Sequence, residues 1–420
     1  MIRIKIVDTL KKMPAILWMA VILIASCSGP SANREGLPEG IWRATLTTES
    51  GEKIPFNFEV KGDSSAPYIE IINGQSRMRA DEITLEEDSI HFLMPFFDSE
   101  FSAARQDDSL SGFWIKHLAG RDAMMPFSAV HGVSYRFMES PEPPATDISG
   151  RWATDFVRDQ DTTIAIGELR QEGNRLTGTF ITPYGDYRYL EGTISGNKLF
   201  LSSFDGGYAT LFTATVSGDS LISGGKFYSG RSGIKDWTAR KDAAARLPDA
   251  NSLTYLEDGY EQLDFTYVNL EGDSVSLSDE KFRNKVVVIQ FFGSWCPNCL
   301  DETRFLTDFY EEYRDKGFEV IGLAYERTTD MELNKRLVKR MTDRFNVEYE
   351  MLLTGYTSKQ VEESMPALRN FMAFPTTIIL DREGNVRRVH TGFNGPGTGT
   401  HYEVYVEEFT RMINGLLNQE

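Results

Sequence analysis

The sequence is short of cysteine, of positive charge and of long apolar runs. Three cysteines, Cys27, Cys296 and Cys299, stand in 420 residues, too few for a disulfide-stapled scaffold. Lys and Arg number 44 against 62 Asp and Glu, a formal net charge of −18. So acidic a chain repels phosphate backbones and anionic headgroups, which argues against nucleic acid as a partner. The apolar run from Met13 to Ala25 falls well short of the ~20 residues that a spanning helix needs. A polytopic membrane protein is thereby excluded. The remaining balance is globular, 41% hydrophobic and 25% charged. At roughly 150 residues per domain, the length allows about two to four domains.

The N-terminus has the form of an address. Arg3, Lys5, Lys11 and Lys12 precede the apolar run, which ends in Ile24-Ala25-Ser26-Cys27. Small residues directly before a cysteine resemble the lipobox of bacterial lipoproteins. The resemblance implies that residues 1–26 are a signal peptide and that Cys27 becomes an acylated N-terminus. Residues 27–36 are small and polar, as suits a tether. The expected location is then the bacterial cell envelope, lipid-anchored and facing the periplasm.

From about Leu37 to Arg240 the chain reads as strands and turns. Alternating segments such as Phe56-Asn57-Phe58-Glu59-Val60 and Lys198-Leu199-Phe200-Leu201 are separated by Gly, Asp, Asn and Ser. A weak repeat runs through this region. Gly40-Ile41-Trp42 aligns with Gly150-Arg151-Trp152, Phe96-Phe97-Asp98 with Ser203-Phe204-Asp205, and Asp108-Ser109-Leu110 with Asp219-Ser220-Leu221. Such a period means two copies of a small domain rather than a solenoid. Each copy has room for roughly eight strands, which favours a small barrel or sandwich. The expected division is β module 1 over 37–140, a Pro-rich linker over 141–147 and β module 2 over 148–242. His91, His117 and His131 lack the convergent partners that a metal site needs. The modules therefore read as a binding or spacing device.

A linker over 243–258 leads into a different pattern. Val286-Val287-Val288-Ile289 is a continuous β-branched run, the mark of a strand covered on both faces. It leads through Gly293-Ser294-Trp295 into Cys296-Pro297-Asn298-Cys299, then into a helix from Leu300 to Lys316 with Phe305, Leu306, Phe309 and Tyr313 on one face. Gly317 is its expected C′ residue. The next strand is Glu319–Leu323. A C-x-x-C at a helix start puts its first cysteine against unpaired N–H groups and the positive end of the dipole, which favours the thiolate. Cys296 is thus expected to attack a disulfide and Cys299 to resolve the mixed disulfide. A zinc site would need two more ligands; there is no second C-x-x-C, and His390 and His401 are not at finger spacing. Helices are expected around Lys335–Arg340 and Ser358–Phe371. A last helix, Tyr402 to Leu417, should pack by Val404, Phe409, Ile413 and Leu416.

Residues 259–420 resemble the thioredoxin-fold domain of the TlpA/ResA-like thiol–disulfide oxidoreductases of bacterial envelopes. The likeness rests on Phe292-Gly293-Ser294-Trp295-Cys296-Pro297-Asn298-Cys299, and on Phe374-Pro375-Thr376-Thr377 before the strand Ile378-Ile379-Leu380. It implies an α/β thioredoxin-like fold after the two all-β modules. It also implies that Pro375 is cis beside the cysteines, and that Trp295, Phe374 and Pro375 are substrate-binding. Glu302, three residues after Cys299, takes the family's glutamate position, where a desolvated carboxyl can raise thiol pKa values or pass a proton. Two departures stand out: Thr303-Arg304 where the family often has proline, and Gln290 where thioredoxins carry Asp and this family often Asn.

These readings converge on a membrane-tethered enzyme that reduces protein disulfides, with electrons arriving by thiol exchange from a membrane donor. No nicotinamide or flavin fingerprint is present, so no cofactor is expected. Two other classes compete. A thiol peroxidase of the peroxiredoxin class shares the fold but wants Thr or Ser where Gly293 stands. A binding lipoprotein would give the main role to the β modules.

Overall fold

The computed structural model describes residues 36–63 and 66–419; Cys27, the signal peptide and the tether up to residue 35 lie outside them. Among the described residues the first module is a meander of nine antiparallel strands. Its first strand, Gly40–Thr47, pairs with both Lys53–Lys61 and the last, Arg121–His131. The sheet stays open between Ser76–Ala80 and Ile83–Leu85. The second module closes. Asp161–Glu172 pairs with Gly150–Arg158 on one side and with Arg175–Thr182 on the other, and Gly233–Lys241 returns to Gly150–Arg158. The result is an up-and-down barrel, a closure that leaves no exposed sheet edge.

Alternation drives both modules. Along Gly150–Arg158, Trp152, Thr154 and Phe156 turn inward while Asp155 and Val157 face out; Arg158 continues the inward row at the exposed mouth of the barrel. Aromatic rings fill the barrel, with Phe212 stacked on Phe227 at 4.5 Å and on Phe180 at 4.9 Å. The repeat has a structural counterpart. Gly40 and Gly150 open their strands at φ +106° and +116°, values natural only to glycine. Trp42 and Trp152 are fully buried, and each indole Nε1 donates to the carbonyl four residues back, Pro38 or Ile148. The Asp98 and Asp205 turns each follow the strand at the same place in the meander, and Ser109–Leu118 and Leu221–Ser229 are both penultimate strands.

The two modules share a core. Phe204 of the second stacks on Phe56 of the first at 4.5 Å and meets Trp114 edge-on at 5.3 Å. Arg136 is buried between them and donates to Ile72 O at 2.5 Å and Ser202 O at 3.1 Å. The proline-rich segment lies along the second barrel, where Ala145 N donates to Gly196 O and Asn174 Nδ2 donates to Glu142 O.

The C-terminal region is a seven-stranded mixed sheet. Its order is Ser274–Ser276, Thr266–Asn269, Glu350–Thr357, Phe318–Glu326, Val286–Phe292, Thr376–Leu380, Val386–Thr391. The three central strands from Glu350–Thr357 to Val286–Phe292 are parallel. Every residue of Val286–Phe292 is buried, as its β-branched run requires. Four helices follow in chain order: α1 Pro297–Tyr313, α2 Met331–Phe345, α3 Val361–Ser364 and α4 Thr400–Leu417. A 3-10 turn, Arg314–Lys316, ends α1 at Gly317, which sits at φ +89°.

Two expectations need correction. The helix expected over Ser358–Phe371 is only the single turn of α3; Pro366 cannot continue it, and Leu368–Arg369 instead pairs with Tyr255–Leu256. On α4, Phe409, Ile413 and Leu416 are buried as expected, but Val404 is 47% exposed. The buried stripe runs back from Phe409 through Tyr405, one residue out of phase with Val404.

Candidate active site

The buried strand Val286–Phe292 delivers the chain to a turn at Gly293-Ser294-Trp295 and then to α1. A Cβ on Gly293 would come within 2.2 Å of the Trp295 indole nitrogen, so only glycine fits this turn. Ser294 donates to Glu326 twice, from its amide at 2.8 Å and its hydroxyl at 2.9 Å. Burial pushes Glu326 up to about 7. The Trp295 Nε1 donates to Tyr325 O at 3.1 Å, and the Arg327 guanidinium lies 4.7 Å over the ring.

Cys296 caps α1. Its backbone is extended, its Sγ accepts from Cys299 N at 3.3 Å, and Pro297 fills the first helical position, where a missing N–H costs nothing. Cys296 and Cys299 are joined by a disulfide with Cα atoms 5.2 Å apart. The pair is asymmetric: Cys296 is 5% exposed and Cys299 is fully enclosed. The Phe374–Pro375 peptide is cis, and the Phe374 carbonyl oxygen lies 3.5 Å from Cys296 Sγ. The Phe374 ring meets Trp295 edge-on at 5.5 Å. Trp295, Cys296, Phe374 and Pro375 are thus brought together from two segments nearly 80 residues apart in the chain.

Beneath the disulfide lies a polar network in an otherwise apolar layer. Glu302 is fully buried and accepts from Thr377 Oγ1 at 2.7 Å, Gln290 Nε2 at 2.9 Å and Tyr405 OH at 3.4 Å. Burial pushes its carboxyl up to about 7, against the pull of those three donors. Gln290 also lies 3.4 Å from Cys299 O and accepts from Thr303 Oγ1 at 3.1 Å. The two departures from the family pattern therefore touch each other, and both belong to the network around Glu302.

The second barrel covers the cysteines. Its segment 183–189 rests on the start of α1 and on the loop before α4. A Cβ at Gly185, φ +130°, would approach Asn298 Oδ1 to 2.8 Å. Asp186 accepts from Gly395 N at 2.8 Å, and burial pushes it up to about 7. Arg188 donates to both carboxylate oxygens of Asp301. Between barrel and disulfide remains a cavity of about 460 Å³, reached by Cys296, Trp295 and Asn298 from one side and by Arg158, Tyr208 and Lys235 from the other. Arg188 and Asp186 belong to no motif. Their partners stand about 110 to 210 residues away in sequence, so no spacing in the chain announces them.

Residues 243–404 match the Redoxin family. The chain is 28% identical over 137 residues to "Thioredoxin-like protein YneN" of Bacillus subtilis, which covers 33% of this chain and 73% of that protein. It is 27% identical over 157 residues to "Thiol-disulfide oxidoreductase ResA" of Halalkalibacterium halodurans, covering 37% and 76%. Among solved structures, the thioredoxin domain of a thiol-disulfide oxidoreductase from Bacteroides vulgatus is 27% identical, covering 37% of this chain and 98% of that one, with a TM-score of 0.28. The C-terminal region is a thioredoxin-like fold carrying a redoxin domain. The protein is a thiol–disulfide oxidoreductase.

Proposed function

We propose that the protein is a membrane-tethered reductase of disulfides in envelope proteins, acting through Cys296. In the dithiol form, the Cys296 thiolate attacks one sulfur of the substrate disulfide, and the other substrate sulfur leaves as a thiolate. Cys299 then attacks the mixed disulfide, releases the second substrate thiol and closes the Cys296–Cys299 bond. Two electrons pass to the substrate, and an external dithiol, proposed to be a membrane protein, restores the pair. Cys296 suits the attacking role because it is the less enclosed of the two and caps α1, where backbone N–H groups favour its thiolate.

In this reading Phe374 and Pro375 present backbone to an extended substrate, and Trp295 borders it. Glu302, left partly protonated near neutral pH by its burial, has a proton to exchange with the resolving thiol. Cys27 is proposed as the lipidated residue that holds the protein at the membrane, facing the periplasm. Among the described residues no helix is long and apolar enough to cross a membrane. A peroxidase finds less support, since Gly293 has no hydroxyl and the Ser294 hydroxyl is engaged by Glu326.

The observation that carries the proposal is the asymmetric Cys296–Cys299 pair beside the Phe374 carbonyl. The test is its equilibrium reduction potential in thiol buffers, read by mass spectrometry of alkylated cysteines. A value near or below about −270 mV supports a reductase, a value near −120 mV reverses the direction, and no reversible couple removes the proposal.

A further inference from the structure

We infer that the second β barrel is the far wall of the substrate site, and that Arg158 and Lys235 on this wall select disulfides flanked by acidic residues of a polypeptide. The inference rests on the proposed attack by Cys296 and adds the substrate class.

Geometry comes first. The cavity of about 460 Å³ has Cys296 and its neighbours Trp295, Pro297 and Asn298 on one side; the opposite wall is barrel. A substrate sulfur approaching Cys296 through this space must pass the barrel rim. That rim is built in, because Asp186 and Arg188 fasten it to Gly395 and Asp301 while Gly185 lies close against Asn298. A spacer would need no such attachment beside the reacting bond.

Charge sets the preference. Of the cations lining the cavity, Arg188 is already neutralised by Asp301 and Asp205. Arg158 and Lys235 have no ion-pair partner among the described residues; Asp161, the strand neighbour of Arg158, makes no ion pair with it. The acids on the same wall are committed. Asp205 accepts from the amides of Gly207 and Tyr208 as well as pairing with Arg188. Asp186 is buried, bonded to Gly395 N and only partly ionised at neutral pH. Two unspent positive charges thus face the cavity on a chain whose net charge is −18. A carboxylate beside the substrate cysteine meets them, and a lysine there is repelled. Tyr187 and Tyr208 also line the space.

The test uses the full chain, pre-reduced, in single turnovers at low salt. Its probes are two disulfide-bridged peptides that differ only in having Asp and Glu, or Lys, around the cysteine, with 2-hydroxyethyl disulfide as an uncharged reference. The acidic peptide is expected to react at least about tenfold faster than the lysine peptide, with the ratio shrinking as salt rises. Arg158→Glu with Lys235→Glu should invert the ratio, and the pair of glutamine substitutions should bring it near one. Equal rates in the native protein, or a ratio unmoved by charge reversal, would overturn the inference while leaving the reductase reading intact. Failure to reduce even 2-hydroxyethyl disulfide would overturn both.

Discussion

Arg188 grips both carboxylate oxygens of Asp301, Nε to Oδ2 at 2.8 Å and Nη2 to Oδ1 at 2.6 Å. The arginine belongs to the second barrel and the aspartate to α1, two residues beyond Cys299. Both side chains are largely buried, at 18% and 15% exposure. A planar fork meeting a carboxylate in two parallel bonds fixes orientation as well as distance. Through this pair the barrel is held in register with the disulfide.

The clamp makes a specific prediction about stability. Removing Asp301 leaves the buried Arg188 with only Asp205, at 3.5 Å, so Asp301→Ala should cost up to about 3 kcal/mol, the low end for a broken buried pair. Replacing both residues with leucine should cost less than either single alanine change, because neither charge of the pair is left behind and Asp205 keeps the amides of Gly207 and Tyr208. Urea denaturation of the three variants checks this. A double variant as unstable as the sum of the singles would mean the pair does not act as a unit.

Glu302 predicts a pH dependence of definite sign. Its carboxyl ordinarily titrates near 4.5 and is pushed to about 7 in the fold. Between those values the unfolded chain releases the proton while the folded protein keeps it. The stability contributed by the neutral carboxyl is thus complete below about 4.5 and lost as pH rises through 7. The difference is on the order of 3 kcal/mol for a shift of this size. Asp186 and Glu326 titrate in the same window, so the informative quantity is the native protein minus Glu302→Gln. That difference should fall by this amount between pH 4.5 and 8, measured by denaturation at a series of pH values. The thiol-exchange rate of the variant should also lack the inflection near pH 7. A flat difference would mean Glu302 is ionised in the folded protein.

The chemistry of the chain was legible where local pattern and chemistry coincide. The β-branched run of Val286–Ile289, the C-x-x-C that follows it and Pro375 before its strand sit as the pattern implies, because short-range geometry places them. The β modules were legible as class but not as closure, since alternation fixes which face is inward and not which strands meet. Glu302 could be singled out by position. Its partner Tyr405 could not, because it arrives from α4 about 100 residues later. The covering of the disulfide was wholly illegible. It depends on a positive-φ glycine, a turn carboxylate and an arginine that are individually ordinary.

For Cys27, which lies outside the described residues, the expectation concerns location. Cys27→Ala should shift the protein from the membrane fraction to the soluble periplasmic fraction, while the purified variant keeps its thiol-exchange rate. Fractionation followed by immunodetection reads the first, and a 2-hydroxyethyl disulfide assay the second. Continued membrane association of the variant would assign the attachment to another part of the chain.

Gly185 gives the sharpest test of whether the barrel must sit where it does. Its φ of +130° disfavours any side chain, and a Cβ there would stand 2.8 Å from Asn298 Oδ1, between the two cysteines. Gly185→Val therefore adds backbone strain of about 1–3 kcal/mol and overpacking of similar size. The barrel interior lies away from this point and is packed by its own rings, so the variant should remain folded with a lowered melting temperature. The added bulk is relieved most easily by lifting segment 183–189 from α1. Amide exchange should then rise in residues 183–189 and around Asn298 while the strands of the barrel stay protected. If exchange instead rises uniformly across the barrel, the substitution has loosened the module itself, and the contact with Asn298 is not what positions it.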